Sequence, residues 1–245
     1  MYPQAYMSNV LRQGHRLGPL RPCMDGIIWF LTGNEGKLRE ARHHFSALGY
    51  EVKPLLVPEG SVVEPQAGTL EAVAFAKIEQ AKLHLPHANA IVLVEDAGLF
   101  VDALNGFPGV YSAYAMDTIG PNGILRLMQH LTTEDIVQVK KLRSAAFQAV
   151  AVLWDGEQCW VGRGECKGSI AMDVRGEEGF GFDPVFIPYD LDEFGDAMTP
   201  DRLGTVSTHG QTFGEVDAAT KHAFSHRRRA LDSLVKAWGV PDARG

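Results

Sequence analysis

Cysteine is scarce in this chain. Cys23, Cys159 and Cys166 are the only three in 245 residues; the number is odd and no C-x-x-C spacing occurs, which excludes a disulfide framework and a zinc site and points to reduced thiols in a cytosolic protein. Positive charge is also in deficit: 23 Lys and Arg stand against 30 Asp and Glu, a formal net charge of −7. That balance excludes a basic nucleic-acid-binding surface spread over the molecule, so any anionic ligand must be met by a local basic pocket. No apolar run has the length of a membrane span, and the N-terminal segment lacks the h-region of a signal peptide. No Pro/Gly/Ser-rich linker and no internal repeat divides the sequence, so one α/β domain over 24–240 is expected, with a sizeable core. Residues 1–23 carry Arg12, Arg16 and Arg21 without an acidic residue, and read as a disordered extension without a catalytic part.

What is present alternates between apolar runs and amphipathic stretches. Ile27–Leu31 reads as a strand, Lys37–Leu48 as a helix with Leu38, Ala41, Phe45 and Leu48 on one face, and Glu51–Val57 as the next strand. Thr69–Leu85 reads as a helix capped by Thr69 and ended before Pro86. Ile91–Val94 is a buried central strand that stops at Glu95-Asp96-Ala97-Gly98. Gly120–His130 reads as a short helix, Ala145–Leu153 and Glu157–Lys167 as an antiparallel pair turning at Asp155-Gly156, and Val185–Ile187 as a short strand. The last helix is capped by Ser225 and carries the stripe Ala230, Leu231, Leu234, Val235 and Trp238.

Four clusters carry chemistry. Thr32-Gly33-Asn34-Glu35-Gly36-Lys37 follows the first strand and opens a helix, presenting backbone N–H groups and a lysine where phosphates bind. Two residues rather than four separate its glycines, so it is not a P-loop, and an ordinary strand–turn–helix connection stays open. Glu95 and Asp96 form a second cluster at a strand end; were the strand to continue, they would point to opposite faces and only one could line a site. A buried carboxylate there calls for a divalent cation or a basic partner; a solvated acidic turn is the alternative. In Gly179-Phe180-Gly181-Phe182-Asp183-Pro184, two aromatics beside a fixed carboxylate make a platform suited to a nucleobase, or else both rings pack in the core. Lys221 and Ser225-His226-Arg227-Arg228-Arg229 place cations in the first turn of the last helix, against its dipole, which points to an acceptor-rich partner or to a solvated basic face. His43-His44 and His84-x-x-His87 are decoys: the first pair diverges on its helix and Pro86 interrupts the second.

Thr32-Gly33-Asn34-x-x-Lys37, Glu95-Asp96-x-Gly98-Leu99, Gly106-x-Pro108-Gly109, Phe180-Gly181-Phe182-Asp183-Pro184 and Lys221-x-x-x-Ser225-His226-Arg227, in this order, resemble the inosine triphosphate pyrophosphatase family, the XTP/dITP diphosphatases. The resemblance runs from about Ile27 to Trp238. It implies an elongated, twisted mixed β-sheet with flanking helices and two lobes around a central cleft. It also implies Mg²⁺-dependent hydrolysis of ITP, dITP and XTP to monophosphate and pyrophosphate by a homodimeric cytoplasmic enzyme, with no nucleic-acid or membrane partner. By matching position, Thr32 to Lys37 and Lys77 would hold phosphates, Asp96 would be the catalytic carboxylate, and Glu64 and Asp96 would hold the metal. Phe180 would stack on the base, flanked by Gly181 and Phe182, and Asp183, Lys221, His226 and Arg227 would complete the base and ribose side. Ala97, at a substrate-facing position, replaces a Ser or Thr. Ala113 and Tyr114 stand where relatives carry a Lys or Arg, Ala72-Val73 replaces Glu-Asn, and Pro188–Gly204 is long and acidic, with Asp190, Asp192, Glu193, Asp196 and Asp201 read as solvated surface. A Maf-like pyrophosphatase of other base specificity and a catalytically silent nucleotide-binding protein are the alternatives.

Overall fold

A computed structural model describes residues 26–63 and 65–239; the expected N-terminal extension and Glu64 lie outside the described residues. Six strands form one open sheet in the order β2-β1-β3-β4-β5-β6. They are β1 (Ile27–Phe30), β2 (Glu51–Pro54), β3 (Ile91–Val101), β4 (Ser144–Trp154), β5 (Cys159–Ile170) and β6 (Phe186–Pro188). β1 runs parallel to β2 and to β3, and the remaining pairings are antiparallel. The flanking helices are α1 (Glu35–Ser46), α2 (Leu70–Lys82), α3 (Ser112–Thr118), α4 (Gly120–Leu127), α5 (Ile136–Leu142), α6 (Ala218–Ala223) and α7 (His226–Trp238). The caps read from sequence are formed: Thr69 accepts from Ala72 N–H and Ser225 from Arg228 N–H. α3 and α5 have too weak a periodic pattern to have been anticipated.

A mismatch in strand length makes the cleft. β1 pairs with β3 only from Ile28↔Ile91 to Phe30↔Leu93, whereas β3 continues against β4 from Val92↔Trp154 to Val101↔Ala145. The expectation that β3 stops at Val94 is corrected: Glu95-Asp96-Ala97-Gly98 lie inside the strand, because β4 goes on supplying backbone partners past the charged pair. Between Leu93 and the Phe100↔Pro108 bridge the edge of β3 that faced β1 has no strand partner, and this notch is where the carboxylates lie.

Side chains alternate across the long strands. Leu93, Ala149, Ala151 and Leu153 pack under α1 and α7, and Val92, Val94, Val150 and Val152 pack under α2 on the other face. At the far end of β3 to β5 a separate core gathers Leu99, Val101, Ala145, Ile170 and Phe186 with Ile124 of α4. Two packed regions thus share the same strands on either side of the notch. Gly162 and Gly164 of β5 let α7 lie directly on the strand, since a Cβ would come within 2.1 Å of Ala230 O and 2.0 Å of His226 O. That close approach brings the first turn of α7 to the cleft.

Buried Arg143 joins α4 to β5, donating to Ile170 O at 2.9 Å, Met128 O at 2.8 Å and Ala171 O at 2.8 Å. The 188–210 loop is tied to itself. Asp190 accepts from Gly204 N–H at 3.1 Å and from the Ser207 hydroxyl at 2.7 Å, which corrects its reading as solvated surface: the loop's own donors need an acceptor.

Candidate functional site

The turn after β1 is built by its own side chains. Thr32 Oγ1 accepts from Asn34 N–H at 3.1 Å, and Asn34 Oδ1 caps α1 by accepting from Lys37 N–H at 3.0 Å. The N–H groups of Glu35 and Gly36, in the first turn, have no carbonyl of their own helix to bond and carry the positive end of its dipole. Lys37 reaches out of this turn to the open edge of β3, where Nζ donates to Glu95 O at 3.1 Å and lies 3.5 Å from Glu95 Oε1. The contact between Lys37 and the Glu95 carbonyl exists only because β1 has ended.

Asp96 faces the other side of β3, where Lys77 of α2 donates to its Oδ1 at 3.0 Å. The strand continues through the acidic pair, and the two residues point to opposite faces, as expected for that case. Each carboxylate meets its own lysine, Glu95 on the α1 side of the strand and Asp96 on the α2 side. Glu95 is buried, and its Oε1 accepts no hydrogen bond among the described residues. Ala97 shares the Glu95 face and packs against the core under α1 and α7.

The opposite wall of the cleft comes from the 179–183 turn, α6 and α7. Phe180 is 56% exposed and Phe182 only 4%, so the two aromatics divide the alternatives between them: Phe180 is the platform and Phe182 is core. Gly179 has φ +78°, and a Cβ there would lie 2.2 Å from Asp183 Oδ2. Only glycine lets the Asp183 carboxylate turn back to accept from Phe180 N–H at 2.7 Å. Gly181 also has φ above zero. Lys221 pairs with the same Asp183 oxygen. Its Nζ stands 4.5 Å from the Phe180 ring centroid, and the Arg227 guanidinium carbon stands 5.2 Å from it. Both cations therefore frame one exposed ring.

Arg227 is buried and held by Glu40 Oε1 at 2.6 Å. Sequence reasoning missed Glu40, although it lies one turn after Lys37 on α1, at the i,i+3 spacing that shares a helix face. Burial raises the Glu40 carboxyl above the usual range, against the opposing pull of Arg227. The His226 ring stacks on Phe147 at 5.1 Å with the planes 12° apart. Burial, reinforced by Arg227, Lys221 and Lys37, holds its imidazole well below its ordinary pKa, so it is neutral at pH 7 and carries one donor and one acceptor. A cleft with paired lysines and carboxylates at one end and a ring, two cations and a neutral imidazole at the other fits a molecule with a polyphosphate and a flat heterocycle.

The model of the Ham1 family matches residues 28–237. The chain belongs to the Ham1 family. Among Ham1 relatives it is 42% identical over 202 residues to the dITP/XTP pyrophosphatase of Thermococcus kodakarensis, covering 82% of this chain and 91% of that protein. It is 36% identical over 209 residues to the dITP/XTP pyrophosphatase of Ignicoccus hospitalis, covering 85% and 95%. The Staphylococcus aureus Ham1 protein superposes with a TM-score of 0.64 at 29% identity, over 86% of this chain and 97% of that one. The nucleoside-triphosphatase, dITP/XTP pyrophosphatase, of Mycobacterium abscessus does so with a TM-score of 0.61 at 30% identity, over 85% and 98%. The Ham1 match thus spans both walls of the cleft.

Proposed function

We propose that this Ham1 chain hydrolyses the α–β phosphoanhydride bond of purine nucleoside triphosphates with a 6-keto base, ITP, dITP and XTP, to the monophosphate and pyrophosphate. The observation that carries the reading is the double pairing across β3, Lys37 with Glu95 and Lys77 with Asp96, facing a ring framed by cations. The relatives named dITP/XTP pyrophosphatase support the choice of substrate.

Phosphoryl transfer rests mostly on positioning and on neutralising charge. Lys37, the α1 amides and Lys77 would hold the phosphate chain. The lysine–carboxylate pairs keep these cations in place before substrate arrives. When Lys77 turns to a phosphate, Asp96 is released to take the proton of the attacking water. The carboxylate oxygens of Asp96 are hard donors of the kind Mg²⁺ takes. Among the described residues no three His, Cys, Asp or Glu side chains gather to hold an ion, yet Mg²⁺ needs only one or two carboxylates beside phosphates and waters. Asp96 and Glu64 would hold it, and bound Mg²⁺ would supply charge neutralisation at the phosphates. At the other end Phe180 would stack on the base while Arg227 and His226 present donors to its edge. A 6-keto purine offers O6 as an acceptor, whereas adenine offers an amino donor and would leave those buried donors unpaired. Sites of that kind discriminate by about 10⁴–10⁵.

A homodimer is the reading for the assembly, supported by a run of exposed apolar side chains, Phe107, Tyr111, Tyr114 and Ile119. A cytoplasmic location follows from the chemistry of the nucleotide pool; among the described residues no helix is long and apolar enough to cross a membrane. Phosphate release coupled to inorganic pyrophosphatase, with ITP, XTP, ATP and dUTP and with Mg²⁺ supplied or chelated, tests the proposal. Turnover of ITP and XTP far above ATP, lost on chelation, is the expected result. Absence of turnover with every triphosphate would overturn the activity, and equal turnover of ATP and ITP would overturn the base selection.

A further inference from the structure

Away from the cleft, a second recess of about 410 Å³ opens between α5, the end of β6 and the 188–210 loop. Its volume falls within the range of small-ligand pockets, roughly 300–1,000 Å³. Its walls are fixed by bonds already described in part: Asp190 has both oxygens committed to Gly204 and Ser207, and Leu191 bridges to Val206 and to Ala197. The Tyr189 hydroxyl donates to Lys140 O at 3.3 Å, and His209 N–H donates to Ser207 Oγ at 2.9 Å.

Two cations, Lys140 and Arg202, and two carboxylates, Asp190 and Asp201, stand on those walls, differently engaged. Of the two carboxylates on the walls, Asp190 has both oxygens taken by the loop's own donors, and hydrogen bonds from Thr199 and its own backbone hold the exposed Asp201 carboxyl below the usual range. Among the described residues the Lys140 and Arg202 side chains form no ion pair within 4 Å, and they line the recess with His209 and Tyr189.

We propose that this recess is a second binding site, for a small phosphorylated molecule of about mononucleotide size, with Arg202 and Lys140 on its phosphate and Tyr189 beside its flat body. Arginine's fork and a lysine point charge are the pairing that phosphate oxygens favour. The site is placed to sense the cleft. β6 carries Phe186, whose ring lies 4.6 Å from Phe147, and Phe147 stacks on His226. An occupant pressing on the end of β6 is thus two ring contacts from the base-reading wall.

The proposal does not depend on the chemistry assigned to the cleft, and its test keeps the two apart. Amide shifts of the full chain are followed by NMR while inorganic phosphate and, separately, inosine monophosphate are added. With the monophosphate, Tyr189, Arg202, His209 and Gly210 should shift as one set, saturating apart from Gly33 and Phe180 of the cleft. Lys140→Glu with Arg202→Glu should weaken that set at least tenfold and leave basal ITP turnover unchanged. The single Arg202→Gln, at an exposed position, serves if the double variant does not fold, with a smaller loss in the same direction. Shifts confined to the cleft, or an affinity the variants do not alter, would overturn the site. Equal affinity for inorganic phosphate would overturn the mononucleotide assignment.

Discussion

Lys37 and Lys77 each hold one member of the Glu95-Asp96 dipeptide, from opposite faces of one strand. Asp96 is the member on the α2 face, beside the lysine that would grip phosphate, and it is the residue proposed to take the proton from water. Asp96→Asn should lower kcat by about 10²–10⁴-fold with ITP, because the amide keeps the shape and loses the base; near-normal turnover would place the base elsewhere. His226 makes a prediction in pH. Its folded pKa is depressed, so as pH falls the unfolded chain binds the proton first. Stability is therefore whole above the unfolded pKa of about 6.5 and is lost as pH falls from there towards the folded value. His226→Gln should flatten the decline of the melting temperature between about pH 6.5 and 5; an unchanged slope would assign that decline to other groups. At this scale the residue types were legible, and Glu40 was not. Nothing in a single helix repeat says that its carboxylate meets an arginine 187 positions along the chain.

Helix α7 fits on the sheet because two glycines of β5 present bare backbone to it. Gly164→Ala forces the helix outward at His226 and should cost about 1–3 kcal/mol in urea denaturation, as overpacking does. It should also raise KM for ITP, since His226 and Arg227 ride on the displaced turn; an unchanged stability would show that α7 can shift without loss. Helix boundaries were readable where a side chain closes the first turn, as at Thr69 and Ser225, because that bond is local; the Asn34 cap, which starts α1 at Glu35 rather than Lys37, was not read. The length of β3 was not readable. A charged dipeptide ends an apolar run in the sequence, yet the ladder to β4 continues through it. The buried Arg143, whose guanidinium joins α4 to β5 through main-chain carbonyls, left no sequence signal, since each of its acceptors is a backbone group that any residue supplies.

Two packed regions joined by the same long strands, with a notch where the short β1 ends, give the molecule its cleft. The dimer reading predicts a sedimenting mass near twice the 26.8 kDa of the chain, and Tyr111→Glu with Tyr114→Glu should shift it to the monomer by charging an exposed apolar run. A monomer in the unaltered protein would remove that reading. The sequence by itself determined the α/β class, the turn after β1, the capped helices and the set of ionisable and aromatic residues, because hydrophobic period, turn chemistry and capping act over a few neighbours. Tertiary structure alone decided that Glu95 and Asp96 lie within β3 and meet Lys37 and Lys77 from opposite faces, that Phe180 is exposed while Phe182 is core, and that Glu40 holds Arg227. Each of those depends on where one strand stops beside another or on two segments far apart in the chain meeting, and neither is encoded in any local window.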